Sequence, residues 1–227
     1  MSPQQSARSV GSPRAEDRAQ AVALFGDSVS RETWARLDAY VGLLLDRQQT
    51  TNLIAASTIP HLWMRHVADS LQLLRLAPGA RRWIDLGAGG GFPGIVIACA
   101  LADTDGAEVH LVESRNKKAS FLRDVVRSLS LPALVHAERI EDFVAKTDGT
   151  FDVITARALA PLDRLIGCAI PLLKTGAVGL FPKGQDVEAE LTQASKSWNI
   201  EADLVPSLTD PNGRIVVVRR ARRVKPL

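Results

Sequence analysis

Cysteine is nearly absent from this chain of 227 residues. The two that occur, Cys99 and Cys168, lie in apolar helical settings far apart in sequence. That excludes a disulfide framework and a C-x-x-C metal or redox site, calls for no metal, and fits reduced core residues in the cytoplasm. Long apolar runs are also missing: the longest, Ile95 to Ala102, is far too short to cross a bilayer, and the first thirty residues are polar and carry acids. Neither a membrane span nor a signal peptide is therefore expected. With one Tyr and six Phe, the chain lacks the means for the extensive base stacking of single-strand binders. Acids are missing from Arg214 onward, where Arg214, Arg219, Arg220, Arg222, Arg223 and Lys225 concentrate the basic excess and leave the remainder slightly acidic. This terminal cluster reads equally as a frayed, solvated tail or as a phosphate-binding patch. No internal repeat is evident.

What is present is glycine, in one place. Residues 83 to 94 read Trp-Ile-Asp-Leu-Gly-Ala-Gly-Gly-Gly-Phe-Pro-Gly. An apolar strand ends near Asp85 and runs into a glycine turn that opens a helix, and such turns hold adenosine cofactors because backbone N–H groups can approach the ligand where no Cβ intervenes. Two cofactors compete for the pattern. Gly89, Gly91 and Gly94 match the dinucleotide G-x-G-x-x-G, while Gly87, Gly89 and Gly91 match the D-x-G-x-G-x-G of S-adenosylmethionine (SAM) methyltransferases.

Around this loop the pattern is α/β. Residues 1–20 lack periodic apolar positions and are expected to be disordered. Helical spacing begins at Ser30, with Trp34, Leu37, Val41, Leu44 and Leu45 three or four apart and Ser30 and Thr33 as caps, and a second helical stretch covers about 60–76. Residues 21–80 thus read as an N-terminal helical extension, and 81–227 as the cofactor-binding domain. Strands are expected near 82–86, 108–113, 133–137, 151–156 and 177–182, with helices near 93–103, 115–129, 161–174 and 184–197 between and after them. The last two apolar stretches, about 200–206 and 214–219, are joined by a turn too short for a crossover helix and must pair antiparallel. The fold class is Rossmann-like: a seven-stranded, mostly parallel sheet with a C-terminal antiparallel hairpin and an N-terminal helical cap.

The strand tips favour SAM. Glu113 ends the second strand nineteen residues beyond Gly94, where an acid accepts the ribose hydroxyls of NAD or SAM alike. Asp85 separates the two, since a carboxylate beside the turn suits a sulfonium and an ammonium and would repel a pyrophosphate. The acidic stretch Ala137 to Asp142 after the third strand suits an adenine amino group. An NAD-dependent oxidoreductase and a non-catalytic SAM-binding protein of RNA or ribosome assembly stand as the alternatives.

Several strings now fall in one order: Asn52-Leu53, Arg65-His66 with Asp69-Ser70, Asp85 to Gly94, Arg139-Ile140-Glu141, Phe151-Asp152 leading to Ala156-Arg157-Ala158, and Lys183-Gly184. In that order and spacing, over about residues 35 to 220, the chain resembles the RsmG (GidB) family of bacterial 16S rRNA guanine-N7 methyltransferases. It departs at Arg47-Gln48, where the family usually has Trp-Asn, and at Asn-Leu-Ile, where Asn-Leu-Thr is common. The resemblance implies SAM contacts at Gly87, Phe92, Ile140, Glu141 and Arg157, and methylation at guanine 527 of 16S rRNA, within the small ribosomal subunit or its precursor.

The chemistry agrees with what is missing. Guanine N7 has an exposed lone pair and no proton to lose, so methyl transfer needs no general base, only in-line placement and exclusion of water. The fourth strand tip, Thr155-Ala156-Arg157-Ala158, lacks the Asn/Asp-Pro-Pro-aromatic string used for exocyclic amines. Arg157, Lys183 and His66 are the candidates for the catalytic centre. Arg65, Arg123 and Lys183 are the candidates for holding RNA, with Arg115, Lys117, Lys118 and Arg127 extending the basic face of the helix after Glu113. The cofactor set is Asp85, Gly87, Gly89, Gly91, Phe92, Glu113, Ile140, Glu141 and Arg157.

Overall fold

Strands that carry apolar residues at consecutive positions, as in Trp83-Ile84 and Leu111-Val112, need cover on both faces, and a parallel sheet wrapped by crossover helices supplies it. In the computed structural model, which describes residues 11–224, β1 (Arg82–Leu86), β2 (Glu108–Val112), β3 (Ala133–His136), β4 (Val153–Thr155), β5 (Val178–Lys183), β6 (Trp198–Pro206) and β7 (Arg214–Arg223) form one sheet in the order β3-β2-β1-β4-β5-β7-β6. The first five strands are parallel, and β7 runs antiparallel to β5 and β6. Trp83, Val109 and Leu111 point into the core shared with α2 (Arg31–Gln48), α4 (Gly94–Ala100) and α5 (Asn116–Ser128). Ile84, Val112 and Ile154 point to the opposite face, under α6 (Ile140–Lys146), α7 (Leu162–Leu173) and α8 (Val187–Ser195). The chain leaves β1 toward one edge and returns at β4 toward the other. A crevice therefore opens at their carboxyl ends, where ligands of open α/β sheets bind.

The seven strands fall within a few residues of their expected positions, and the two-strand close is antiparallel as the short turn required. Four expectations change. The region expected to be disordered to residue 20 contains α1 (Ala15–Phe25), which buries Ala21 and Phe25, while residues 1–10 lie outside the described residues. Its helicity comes from docking rather than from its own weak pattern: Asp17 Oδ2 accepts the Trp63 N–H at 2.7 Å. The second helical stretch is not one regular helix. It passes through 3-10 turns, a π-wound turn at Trp63–Ala68 and one α turn, α3 (Asp69–Leu71). A helix without a sequence expectation, α6, occupies the acidic stretch after β3. Finally, the basic terminus is no frayed tail as far as Arg223. It is β7, hydrogen-bonded between two strands, with Arg219 paired to Asp203 and the Arg223 guanidinium 5.9 Å from the Trp198 ring centre. Lys225 lies outside the described residues.

Helix α2 begins as its sequence directs, with the Ser30 hydroxyl accepting the Thr33 N–H at 3.1 Å. It also reaches the site. The buried Tyr40 hydroxyl donates to the Gly90 carbonyl at 2.6 Å, so the helical extension braces the glycine turn directly.

Candidate active site

The glycine turn is shaped by backbone that side chains would obstruct. Gly87, Gly89 and Gly91 have φ of +74°, +59° and +104°, the left-handed region that favours glycine. A Cβ on Gly91 would meet Ile95 and the Tyr40 hydroxyl at 2.7 Å. Phe92, next in the chain, is buried against Tyr40 and His66, with ring centres at 5.3 and 4.9 Å.

The two acids expected to meet the cofactor support this turn from behind. Asp85, 1% exposed, accepts the Gly94 N–H through Oδ2 at 2.9 Å and the Thr155 hydroxyl through Oδ1 at 3.0 Å. Both oxygens are thus engaged inside the protein, and Asp85 acts on the cleft through its charge rather than by presenting an oxygen to it. Burial pushes its carboxyl up to about 6, against the lowering effect of those two hydrogen bonds. Glu113, also buried, accepts the Gly89 N–H at 3.0 Å and the Arg115 N–H at 2.7 Å, tying the tip of β2 to the turn and to the start of α5. Ile140 and Glu141 open α6 beyond the neighbouring tip of β3, with Ile140 half-buried and Glu141 exposed beside Arg139. The Arg139 guanidinium and a backbone N–H hold the Glu141 carboxyl below its ordinary range, the backbone bond being the larger cause.

Arg157, just after β4, is the junction of the site. Its guanidinium donates to the Arg65 carbonyl at 3.0 Å and to His66 Nδ1 at 2.6 Å, stands 3.7 Å from Asp69 Oδ2, and lies over the Phe92 ring at 5.4 Å. Burial draws its pKa down while Asp69 and Asp85 draw it up, and a guanidinium keeps its charge under such opposing effects. Since it can only donate, His66 Nδ1 must be the acceptor, which leaves the ring proton on Nε2 to donate to Thr58 Oγ1 at 2.8 Å. Burial first, and then the positive Arg157 and Arg65, push the His66 pKa down to about 3. This imidazole is neutral and both its nitrogens are used, so it positions Arg157 and is not available as an acid or base at neutral pH.

Beyond Arg157 opens a cleft of about 780 Å³. Arg65, His66, Lys183 and Arg214 contribute to its walls, Asp69 and Glu190 supply acid, and the hairpin turn between β6 and β7 closes one side. Lys183 Nζ donates to the Ala160 carbonyl at 2.9 Å and to Glu190 Oε2 at 2.7 Å. Of the expected residues, Arg65, His66, Arg157 and Lys183 therefore gather around one cleft. Arg123 does not join them: it stands exposed on α5, outside the cleft lining. The glycine turn lies on the other side of the loop 157–161, whose Leu159, 37% exposed, covers Gly87 closely enough that a Cβ there would meet it at 2.6 Å. Ala158 in that loop has φ +51°.

Five residues that matter here carried no sequence signal of their own: Tyr40, Thr58, Thr155, Leu159 and Glu190. Asp69 stood only within a family string. The departure at Gln48 is accounted for locally. Its amide oxygen accepts the N–H groups of Leu53 and Ile54 at 2.8 and 3.1 Å and its nitrogen donates to the Ile54 carbonyl at 2.8 Å, holding the loop that packs on Gly90.

Residues 33–216 match the family GidB, described as rRNA small subunit methyltransferase G. Ribosomal RNA small subunit methyltransferase G of Bradyrhizobium sp. is 59% identical over 204 residues, covering 90% of this chain and 91% of that one. The protein of the same name from Rhodopseudomonas palustris is 54% identical over 226 residues, covering 100% and 94%. Among solved structures, a Klebsiella pneumoniae protein assigned as an O-methyltransferase shares the fold at 13% identity, with a TM-score of 0.58 over 89% of this chain and 97% of that one. Identity above one half across nine-tenths of both chains, with the glycine turn, Glu113, Arg157 and Lys183 at the carboxyl ends of the inner parallel strands, leaves one conclusion: the chain belongs to the GidB family, rRNA small subunit methyltransferase G.

Proposed function

We propose that this enzyme transfers the methyl group of SAM to N7 of a guanine in 16S rRNA, at the position numbered 527, within the small ribosomal subunit or its precursor. Family membership makes SAM the cofactor, in agreement with the strand-tip reading, and sets aside the NAD-dependent oxidoreductase. The domain division at about residue 80 is proposed with it, the helical extension serving as the brace of the glycine turn through Tyr40. We place the reaction in the cytoplasm. No helix among the described residues is long and apolar enough to cross a membrane, and no group of three or more His, Cys, Asp or Glu among them is arranged to hold a metal ion.

The residues fit the cofactor. A turn with three glycines at positive φ keeps its backbone free of side chains, with room in front of Gly89 while Leu159 lies over Gly87, and the buried carboxylates of Asp85 and Glu113 favour a cationic group beside it. Gly87, Gly89, Gly91, Phe92, Glu113, Ile140, Glu141 and Arg157 would hold it. When bound, SAM supplies an electrophilic methyl group. The protein's own work is then placement. Asp85 and Thr155 fix the turn, Leu159 excludes water from Gly87, and Arg157, fixed by His66 and Asp69, keeps a positive charge where an anionic substrate enters. Lys183 and Arg65 face the acceptor. No residue is needed to remove a proton from N7, and His66, with both nitrogens bonded, fits a site without a general base.

The observation that carries this reading is the adjacency of a glycine cradle and a cleft lined by Arg65, Arg157, Lys183 and Arg214 across the single loop 157–161. Incubation with methyl-labelled SAM and small-subunit rRNA that lacks the modification, followed by mapping of the product, tests it. Label at a guanine N7 is expected, and label elsewhere or nowhere rejects it.

A further inference from the structure

Within that functional reading, on which this inference rests, we infer that Lys183 and Glu190 together read the target base as guanine, with Glu190 a specificity residue for its Watson–Crick edge. Three acids line the cleft: Asp69, Glu190 and Asp210. Asp69 is committed to Gln72, Thr209 and Arg157. Asp210 stands exposed on the hairpin turn, where Oδ1 accepts the Asn212 N–H at 2.9 Å and Oδ2 accepts nothing among the described residues. Glu190 alone of the three is held against Lys183. Its Oε2 accepts from Lys183 Nζ and from the Leu162 N–H, each at 2.7 Å, while Oε1 makes no hydrogen bond among the described residues and belongs to a side chain that lines the cleft.

The lysine is poised in the same way. Its ammonium has three N–H groups, and two are used, on Ala160 O and Glu190 Oε2. Fixed side by side on the cleft wall are thus one spare donor and one spare acceptor. Guanine presents the complement on adjacent atoms: O6 accepts, and N1–H with the 2-amino group donates. Adenine presents the reverse at those positions, an amino donor and a bare N1, and would set N1 against the carboxylate. Lysine is an established partner for guanine O6, and enzymes that act on a base turned out of its stack read it by this edge.

The arrangement also orients the reacting atom. N7 lies beside O6 on the purine rim. Lys183 is tied to Ala160 in the loop whose Leu159 covers Gly87, so a base held through O6 at Lys183 has its N7 side next to that loop and its N1 side toward Glu190. Glu190 keeps the lysine in place with one oxygen and reads the base with the other.

The test compares guanosine with inosine, which lacks only the 2-amino group, at the target position of otherwise identical rRNA assembled into particles. The full-length enzyme should favour guanosine by about tenfold in kcat/KM, the effect of one hydrogen bond to a charged acceptor. Glu190→Gln should bring the two within about threefold, with SAM affinity unchanged, because the amide has one acceptor oxygen for what the carboxylate does with two. A merely structural Glu190 would slow both substrates equally and leave their ratio alone, and that outcome overturns the assignment. So do equal rates on the two bases with the unmodified enzyme, a comparison that needs no variant to fold. If the unmodified enzyme labels no guanine N7 at all, the functional reading itself fails. If it labels guanosine and inosine alike, only the role given to the pair fails.

Discussion

The two halves of the proposed site, one for the cofactor and one for the acceptor, are built differently. The cofactor half comes from one short stretch, β1, the glycine turn and α4, with Glu113 from the adjacent strand, and its hydrogen bonds join carboxylates to backbone N–H groups. The acceptor half draws on segments from Thr58 to Arg214 that meet only in the folded chain, and its contacts run mainly through side chains: Arg157 to His66 and Asp69, His66 to Thr58, Lys183 to Glu190. A half made mainly of backbone is held by its own strand, turn and helix, with Tyr40 and Thr155 bracing it from elsewhere in the chain. A half made of long side chains depends on each partner keeping the next in place, and is where acceptor specificity can be set without disturbing the cofactor cradle.

Breaking the acceptor half at its centre should have the largest effect. Arg157→Met leaves His66 Nδ1, the Arg65 carbonyl and Asp69 without their cation. Arg157 and Asp69 are only partly buried, each 18% exposed, and leaving such hydrogen-bonding groups without their partner costs about 1 to 3 kcal/mol. Urea denaturation should show that loss together with abolished methyl transfer, and a cost below about 1 kcal/mol would mean that the acceptor half stands without this residue.

The cofactor half should respond in the opposite sense. The Asp85 carboxyl titrates near 6 when folded against 3.8 as its ordinary value, so between those pH values the folded chain keeps a proton that the unfolded chain has released. Stability contributed by this group is present at low pH and is lost as pH rises through that window, on the order of 2 to 3 kcal/mol by neutrality. Asp85→Asn should make the ligand-free protein more stable at pH 7, flatten its stability between pH 4 and 6, and weaken SAM binding measured by calorimetry. A destabilised variant that binds SAM normally would show that the charge is there for structure alone.

His66 gives a finer test of the division. Its pKa near 3 lies below the ordinary 6.5, so the unfolded chain takes up a proton first on acidification, and the stability tied to the neutral ring is lost as pH falls from 6.5 toward 3. Between pH 6 and 8 the ring does not titrate, and kcat/KM should show no inflection from it. His66→Gln, able to accept from Arg157 and donate to Thr58, should retain activity within about tenfold, whereas loss of a true general base costs 10²–10⁴-fold. The smallest effect belongs to Ser30→Ala at the start of α2, about 1 kcal/mol of stability with no change in SAM affinity or acceptor choice.

Much of the cofactor half was legible in advance because its cause is local. Positive φ demands glycine, a strand tip places an acid, and apolar runs buried on both faces space the strands. Asp85 was expected to meet a cationic cofactor, whereas its oxygens serve Gly94 and Thr155. The acceptor half was legible only as a set of separate cations. Nothing in the neighbourhood of Glu190 distinguishes it from Glu188, the other acid of α8, and nothing near Thr58 announces a partner for His66. α1 shows the same limit in the fold: its own pattern is weak, and its order depends on Asp17 meeting Trp63, 46 residues away.

The sequence by itself determined the α/β alternation, the antiparallel close and the glycine cradle, since each follows from the conformational range of a residue type or from the spacing of apolar positions along a few turns. The tertiary structure alone decided that His66 is a neutral support, that Arg157 is the hinge between cradle and cleft, that the basic terminus is an inner strand, and that Lys183 stands beside Glu190. Those facts depend on which side chains meet across long stretches of chain and on how deeply each charge is buried, and burial is a property of the packed molecule that no local pattern contains.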